Sequence, residues 1–172
     1  MAGNIETVLA TLNASHVRYL VVGGVAVVLH GHLRTTADLD LVVDLEAANV
    51  ARAIAALTSL GFRPRAPVPA ADFADKTVRD AWVADKGMTV FSLWNPKMPG
   101  FEVDLFAEPP FDFIAASGRA VRAPLESTEA PVVSIEDLIE LKRAAGRPQD
   151  LQDIAALEEL LRASHAEDAA DD

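Results

Sequence analysis

Between Tyr19 and Val43 a β-branched run, Tyr19-Leu-Val-Val22, breaks at Gly23-Gly24 and resumes as Asp38-Leu-Asp-Leu-Val-Val43. Runs of this kind fit a pleated, half-buried surface, and paired glycines mark a sharp hand-over from strand to helix. The stretch therefore predicts strand, glycine turn, short helix, loop and second strand. Without a Cβ, Gly23 and Gly24 let the backbone turn tightly and let a ligand come close to bare N–H groups, and a helix start behind them favours phosphate. Side chains alternate along a strand, so Asp38 and Asp40 leave on one face, about 7 Å apart at ~3.3 Å per residue. Two carboxylates on one face of an apolar strand repel unless a cation lies between them. Mg²⁺ suits that position, because it takes one or two carboxylates and completes its shell with waters and substrate phosphates.

A third carboxylate comes later. Met88 to Trp94 and Phe101 to Phe106 are two strand-like runs separated by the turn-forming Asn95-Pro-Lys-Met-Pro-Gly100, which predicts a hairpin. Its second arm carries Asp104 between Val103 and Leu105, with Glu102 on the same face as the rival ligand. Gly23-Gly24, Asp38-x-Asp40 and Val103-Asp104-Leu105, in that order, resemble the three-part signature of the DNA polymerase β-like nucleotidyltransferase superfamily. The wording His30-Gly31 and Arg34-Thr-Thr-Ala-Asp-Leu-Asp40 resembles, more narrowly, small stand-alone nucleotidyltransferase-like proteins related to those of toxin-antitoxin and abortive-infection systems.

The resemblance implies Mg²⁺, with Mn²⁺ as the alternative, on Asp38, Asp40 and Asp104. It also implies an NTP over Gly23 and Gly24 and approached by Arg34, Thr36 and Lys142. The implied activity is transfer of an NMP from the NTP to an acceptor hydroxyl of RNA, protein or a small molecule, with release of pyrophosphate; Asp104 is the residue that takes the hydroxyl proton. A toxin role with an antitoxin or helical partner belongs to the same expectation. Two alternatives stand beside it, a non-catalytic nucleotide-binding regulatory subunit and an antibiotic-modifying nucleotidyltransferase.

Bulk properties narrow the partners. A net charge of -11 argues against non-specific binding to nucleic acid, where basic residues must displace condensed counterions. The absence of cysteine excludes disulfides and thiolate metal sites. The spacing of His30 and His32 is not that of a zinc site. The most apolar run, Leu20 to Leu29, is too short to span a bilayer, and no signal peptide is apparent, so a cytoplasmic location without membrane attachment is expected.

Elsewhere the apolar spacing predicts helices over Ile5–Leu12, over Glu46–Leu60 with Asp44 as cap, and over Ala71–Ala84. The proline-punctuated Phe62–Pro69 reads as an extended loop bearing the surface arginines Arg63 and Arg65. A brief helix is expected over Phe111–Ala116, and strands over Val121–Leu125 and Pro131–Val133. Ser134 with Asp137 opens a helix that ends near Gly146-Arg147-Pro148, and another runs to about Arg162. Together these predict an α/β (α+β) fold: a mixed β-sheet, packed helices and a C-terminal helical pair. One domain is expected over 1–163, followed by an acidic flexible tail over 164–172.

Overall fold

The computed structural model describes residues 2–168. Seven strands, β1 (Tyr19–Val22), β2 (Asp38–Val43), β3 (Arg63–Pro64), β4 (Val90–Trp94), β5 (Glu102–Phe106), β6 (Val121–Pro124) and β7 (Glu129–Val132), form one mixed sheet in the order β3-β4-β5-β2-β1-β7-β6. Its centre is the organising stretch: β1 (Tyr19–Val22) passes through α2 (Gly23–Leu29) into β2 (Asp38–Val43), and β1 and β2 pair antiparallel. β1 is buried along its whole length, as a central strand with β2 on one side and β7 on the other must be. The expected hairpin is present as β4 (Val90–Trp94) and β5 (Glu102–Phe106), and β5 runs parallel to β2. β6 (Val121–Pro124) and β7 (Glu129–Val132) make a second hairpin, joined to the sheet where Val21 meets Val132.

The two-residue period decides which side of the sheet is dry. Leu39 and Leu41 of β2, Val103 and Leu105 of β5, and Phe91 and Leu93 of β4 are all buried, whereas the alternate residues carry Asp38, Asp40, Ser92, Glu102 and Asp104. On the dry side Phe73 stacks on Phe91 with ring centroids 4.7 Å apart, and Trp82 stacks on the same ring at 5.6 Å. Burying three aromatic rings in one stack anchors the segment between β3 and β4.

Local chemistry redraws several expected boundaries. The helix α3 (Ala47–Ser59) is capped by Glu46, not Asp44: the Glu46 carboxylate accepts from the backbone N–H of Ala48 at 2.9 Å and of Asn49 at 3.1 Å. Asp44 instead accepts from Glu46 N–H and pairs with Arg18 Nη2 at 2.7 Å, so its carboxylate is already taken. Within the expected Phe62–Pro69 loop, Arg63–Pro64 forms a short edge strand, β3, paired with β4. The single helix expected over Ala71–Ala84 is a 3-10 turn (Ala70–Ala74) followed by α4 (Lys76–Lys86). Asp75 caps α4, accepting from Thr77 N–H at 2.8 Å, and so ends one element as it starts the next.

The remaining helices are α1 (Ala2–Ala14), α5 (Phe113–Arg119), α6 (Ile135–Ala145) and α7 (Pro148–Asp168). Ser134 caps α6, its hydroxyl accepting from Asp137 N–H at 3.2 Å. Gly146, at φ 64°, ends that helix in the left-handed region, and Pro148 occupies the first position of α7, where a missing N–H costs nothing. The expected C-terminal helical pair is therefore α6 and α7, packed on each other. α7 continues through residues 164–168, where the sequence reading starts the acidic tail; residues 169–172 of that tail, Asp171 and Asp172 included, lie outside the described residues. No helix among the described residues is long and apolar enough to cross a membrane.

Candidate active site

The polar face of the sheet is built by register. Asp40 lies directly opposite Asp104 across the parallel β2–β5 pair, and Asp38 lies opposite Glu102. Adjacent strands are about 4.8 Å apart, so carboxylates paired this way feel one another strongly. Burial pushes the Asp40 carboxyl up to about 6, and Asp104 and Asp38 push in the same direction; Arg147 and Lys142 offset part of the effect. Asp104 is also raised, first by burial and then by the negative charges of Asp38 and Glu102, while Ser92 opposite it on β4 pulls the other way. Its Oδ1 atom is buried with no hydrogen-bond partner. A buried, partnerless carboxylate oxygen is rare in folded proteins and calls for a cation or a water.

Gly23 explains how Asp40 reaches this position. Its φ is +66°, and a Cβ there would stand 2.0 Å from Asp40 Oδ2. Only glycine satisfies both the left-handed turn and the approach of the carboxylate. Gly24 gives room to the loop after α2 in another way, by close approach alone: an added Cβ would lie 2.7 Å from Thr36 Oγ1 and 3.3 Å from Arg34 Cζ. The two glycines thus seat Asp40 and the Arg34–Thr36 segment against the start of α2. Thr36 Oγ1 in turn donates to the Asp38 carbonyl at 3.3 Å.

Facing the carboxylates is a wall of alternating charge. Lys142, on α6 and 4% exposed, donates to Asp153 Oδ2 at 2.6 Å and to Asp150 Oδ1 at 3.3 Å. Arg34 also pairs with Asp153, and Arg147 Nε donates to Asp150 Oδ2 at 2.9 Å. Asp150 and Asp153, one turn apart on α7, therefore hold three cations from three separate parts of the chain. Burial alone would raise the Asp150 carboxyl, but the hydrogen bonds and charge of Arg147, with Lys142, hold it below the ordinary range. The sequence reading places Arg34 and Lys142 toward an NTP; in the structure both already carry carboxylate partners. Asp150 and Asp153 are themselves buried, each 2% exposed. The signal for them was their spacing of three on a helix that begins at Pro148, which sets both on one face.

A cleft of about 750 Å³ joins these parts, lined by Gly24, Arg34, Thr36, Asp38, Asp40, Asp104 and Lys142. Gly23 lines an adjoining pocket of about 280 Å³ together with Asp40, Lys142 and Arg147. Seven of the eight expected site residues thus line the cleft, and Gly23 lines the pocket beside it. Arg147, at the α6–α7 junction and lining both cavities, is the neighbour the sequence reading left out. Glu102 belongs elsewhere: its Oε1 accepts from Arg65 Nε at 3.0 Å, and Arg65 lies over the Trp94 ring at 5.6 Å. His30 joins α2 to the end of β7 through a 2.7 Å contact between Nε2 and the Val133 carbonyl.

Of the three carboxylates expected to hold a metal, Asp40 and Asp104 are paired across the strands and Asp38 is exposed beside them. Among the described residues no group of three or more His, Asp or Glu side chains is placed to hold a metal ion. What fits a divalent cation is the Asp40–Asp104 pair, with the partnerless Asp104 Oδ1 and the unneutralised Asp40 as donors and Asp38 exposed at the rim.

No family model matches the chain, and no curated protein matches it by sequence. Solved structures do. The chain is similar to the lincosamide antibiotic adenylyltransferase LnuA in its lincomycin-bound crystal structure, with a TM-score of 0.62 and 16% identity over 93% of this chain and 98% of that one. It is similar to ANT(2″)-Ia in complex with adenylyl-2″-tobramycin, with a TM-score of 0.62 and 16% identity over 96% of this chain and 92% of that one. The fold of this chain is the nucleotidyltransferase fold.

Proposed function

We propose that the chain is a metal-dependent nucleotidyltransferase that moves an NMP from an NTP to an acceptor hydroxyl. One observation carries the reading: two half-buried carboxylates, Asp40 and Asp104, face each other in register with raised proton affinity and, on Asp104, a buried partnerless oxygen, beside a cation-bearing wall. A binding protein gains nothing from that unfavourable pairing, whereas phosphoryl chemistry needs it. Asp40 and Asp104, with Asp38 beside them, would hold Mg²⁺ or Mn²⁺, which would polarise a phosphoryl oxygen and neutralise developing charge. Asp104 accepts the proton of the acceptor hydroxyl; the hydroxyl oxygen bonds to the α-phosphorus, the bond from that phosphorus to the α–β bridging oxygen breaks, and pyrophosphate leaves. Arg147, beside Arg34 and Lys142 in their pairs with Asp153, supplies positive charge on the leaving-group side.

For the acceptor, a small hydroxylated molecule is the preferred class. Its support is that the two similar structures, bound to lincomycin and to adenylylated tobramycin, match this chain over nearly the whole of both partners. The net charge of -11 weighs against an RNA acceptor. The regulatory-subunit reading has one observation of its own, since Asp153 already engages both Arg34 and Lys142. The test offers each NTP, radiolabelled at the α-phosphorus, with Mg²⁺ and fractionated cell lysate. Label in small molecules supports the preferred class, label in RNA or protein supports a toxin-like role, and NTP binding without transfer supports the regulatory subunit.

A further inference from the structure

Beside the cleft lies a second hollow of different character. It has a volume of about 270 Å³ between α1, α2 and the β6–β7 turn, with Val25, Val28, Leu29 and Leu125 in its lining. Arg34, Thr35 and Thr36 line both this pocket and the cleft, so one short segment is the wall common to the two. Next to that wall Leu33 is 87% exposed, adding apolar surface outside the core. Glu6 supplies the pocket's carboxylate. Ser127 donates to its Oε1 from both the backbone N–H and the hydroxyl, the latter at 2.6 Å, which leaves Oε2 with no bond from any described residue. Those bonds hold the Glu6 carboxyl below the ordinary range and therefore ionised at neutral pH.

The geometry points to an acceptor subsite that takes the apolar body and protonated amine of a small hydroxylated molecule, its hydroxyl turned over the Arg34–Thr36 wall toward Asp104. The volume suits part of a ligand: about 150 Å³ is enough for a benzene ring, and whole ligand sites start at about 300 Å³. A nucleobase is a poor occupant, because aliphatic walls would leave its donors and acceptors unpaired. An anionic body is repelled by Glu6, whereas Arg34 at the common wall has its charge committed to Asp153. The inference rests on the transferase reading only for the hydroxyl's destination; the binding itself is testable without turnover.

The probe is tyramine, an aromatic ring between a hydroxyl and a protonated amine, compared with its neutral analogue para-ethylphenol and its carboxylate analogue para-hydroxyphenylpropionate. Methyl NMR of the full chain should show tyramine shifting Val25, Val28, Leu29 and Leu125, with the carboxylate analogue weaker. Val28→Phe should weaken tyramine about tenfold by filling the space. Glu6→Gln should weaken tyramine about twofold to fivefold, the range of an exposed ion pair, and leave para-ethylphenol unchanged. Circular dichroism separates these effects from misfolding, and the surface change at Glu6 keeps the test alive where Val28→Phe does not fold. Equal affinity for the carboxylate analogue, or tyramine binding untouched by a folded Val28→Phe, overturns the subsite. Asp40→Asn is the control: tyramine binding retained in a protein that transfers no label keeps this inference separate from the fate of the transferase reading.

Discussion

Replacing Asp40 by Asn should stabilise the metal-free protein at alkaline pH and do little near pH 4. Burial, Asp104 and Asp38 raise the folded carboxyl to about 6, whereas an unfolded aspartate titrates near 3.9. An acid whose folded value is raised leaves stability intact while it is protonated in both states. That stability is lost as pH climbs from about 4 through about 6, and the loss then levels off. At 1.36 kcal/mol per pH unit, the ionised wild type forfeits about 3 kcal/mol above that window. Asn cannot ionise and fills nearly the same space, so it should recover about 3 kcal/mol at pH 8 and only about 0.5 kcal/mol at pH 4. For a chain of this length each kcal/mol moves Tm by about 2–4 °C, giving a gain of about 6–12 °C at pH 8. The assay is thermal unfolding of both proteins at the two pH values with a chelator present. A variant equally or less stable than wild type at pH 8 would show that Asp40 is not a destabilised, cation-seeking carboxylate.

Gly23→Ala should cost about 1–2 kcal/mol for the left-handed backbone alone, and more for the 2.0 Å approach to Asp40 Oδ2. Combining it with Asp40→Ala should recover part of that loss, measured as a coupling in a denaturation double-mutant cycle. Asp153→Ala leaves Lys142 and Arg34 without their shared counterion and should destabilise by about 3–5 kcal/mol, read from urea midpoints. Between the rival carboxylates, Asp104→Asn should abolish label transfer, whereas Glu102→Gln, losing only a partly exposed pair with Arg65, should keep transfer and shift stability by less than about 1 kcal/mol.

What was legible in the chain was whatever local pattern determines. The β-branched runs around Gly23-Gly24 specify β1, α2 and β2 because few other conformations suit those residues. The Asn95–Gly100 turn likewise specifies the hairpin that carries Asp104. Register then does what spacing alone cannot: only the parallel β2–β5 pairing sets Asp40 against Asp104 and Asp38 against Glu102. The charge wall was invisible for a related reason. Arg34 and Asp153 are 119 residues apart, and nothing near either one announces the other. Asp44 and Glu46 both had the chemistry of a helix cap, and the choice fell to Arg18, which claims Asp44 from the residue just before β1. The short strand β3 escaped because two residues carry no periodicity and one of them is Pro64, tolerated there at a sheet edge.

If Asp40 and Asp104 support transfer of a nucleotidyl group, the position of a radiolabel on the NTP decides which label the acceptor receives. Parallel reactions contain wild type or Asp40→Asn, Mg²⁺, and an NTP labelled at either the α- or the γ-phosphorus, with the small-molecule fraction as acceptor. Acceptor label is expected from the α-position alone, γ-label released as pyrophosphate, and neither with Asp40→Asn. Label reaching the acceptor from the γ-position, or transfer undiminished in Asp40→Asn, would contradict it.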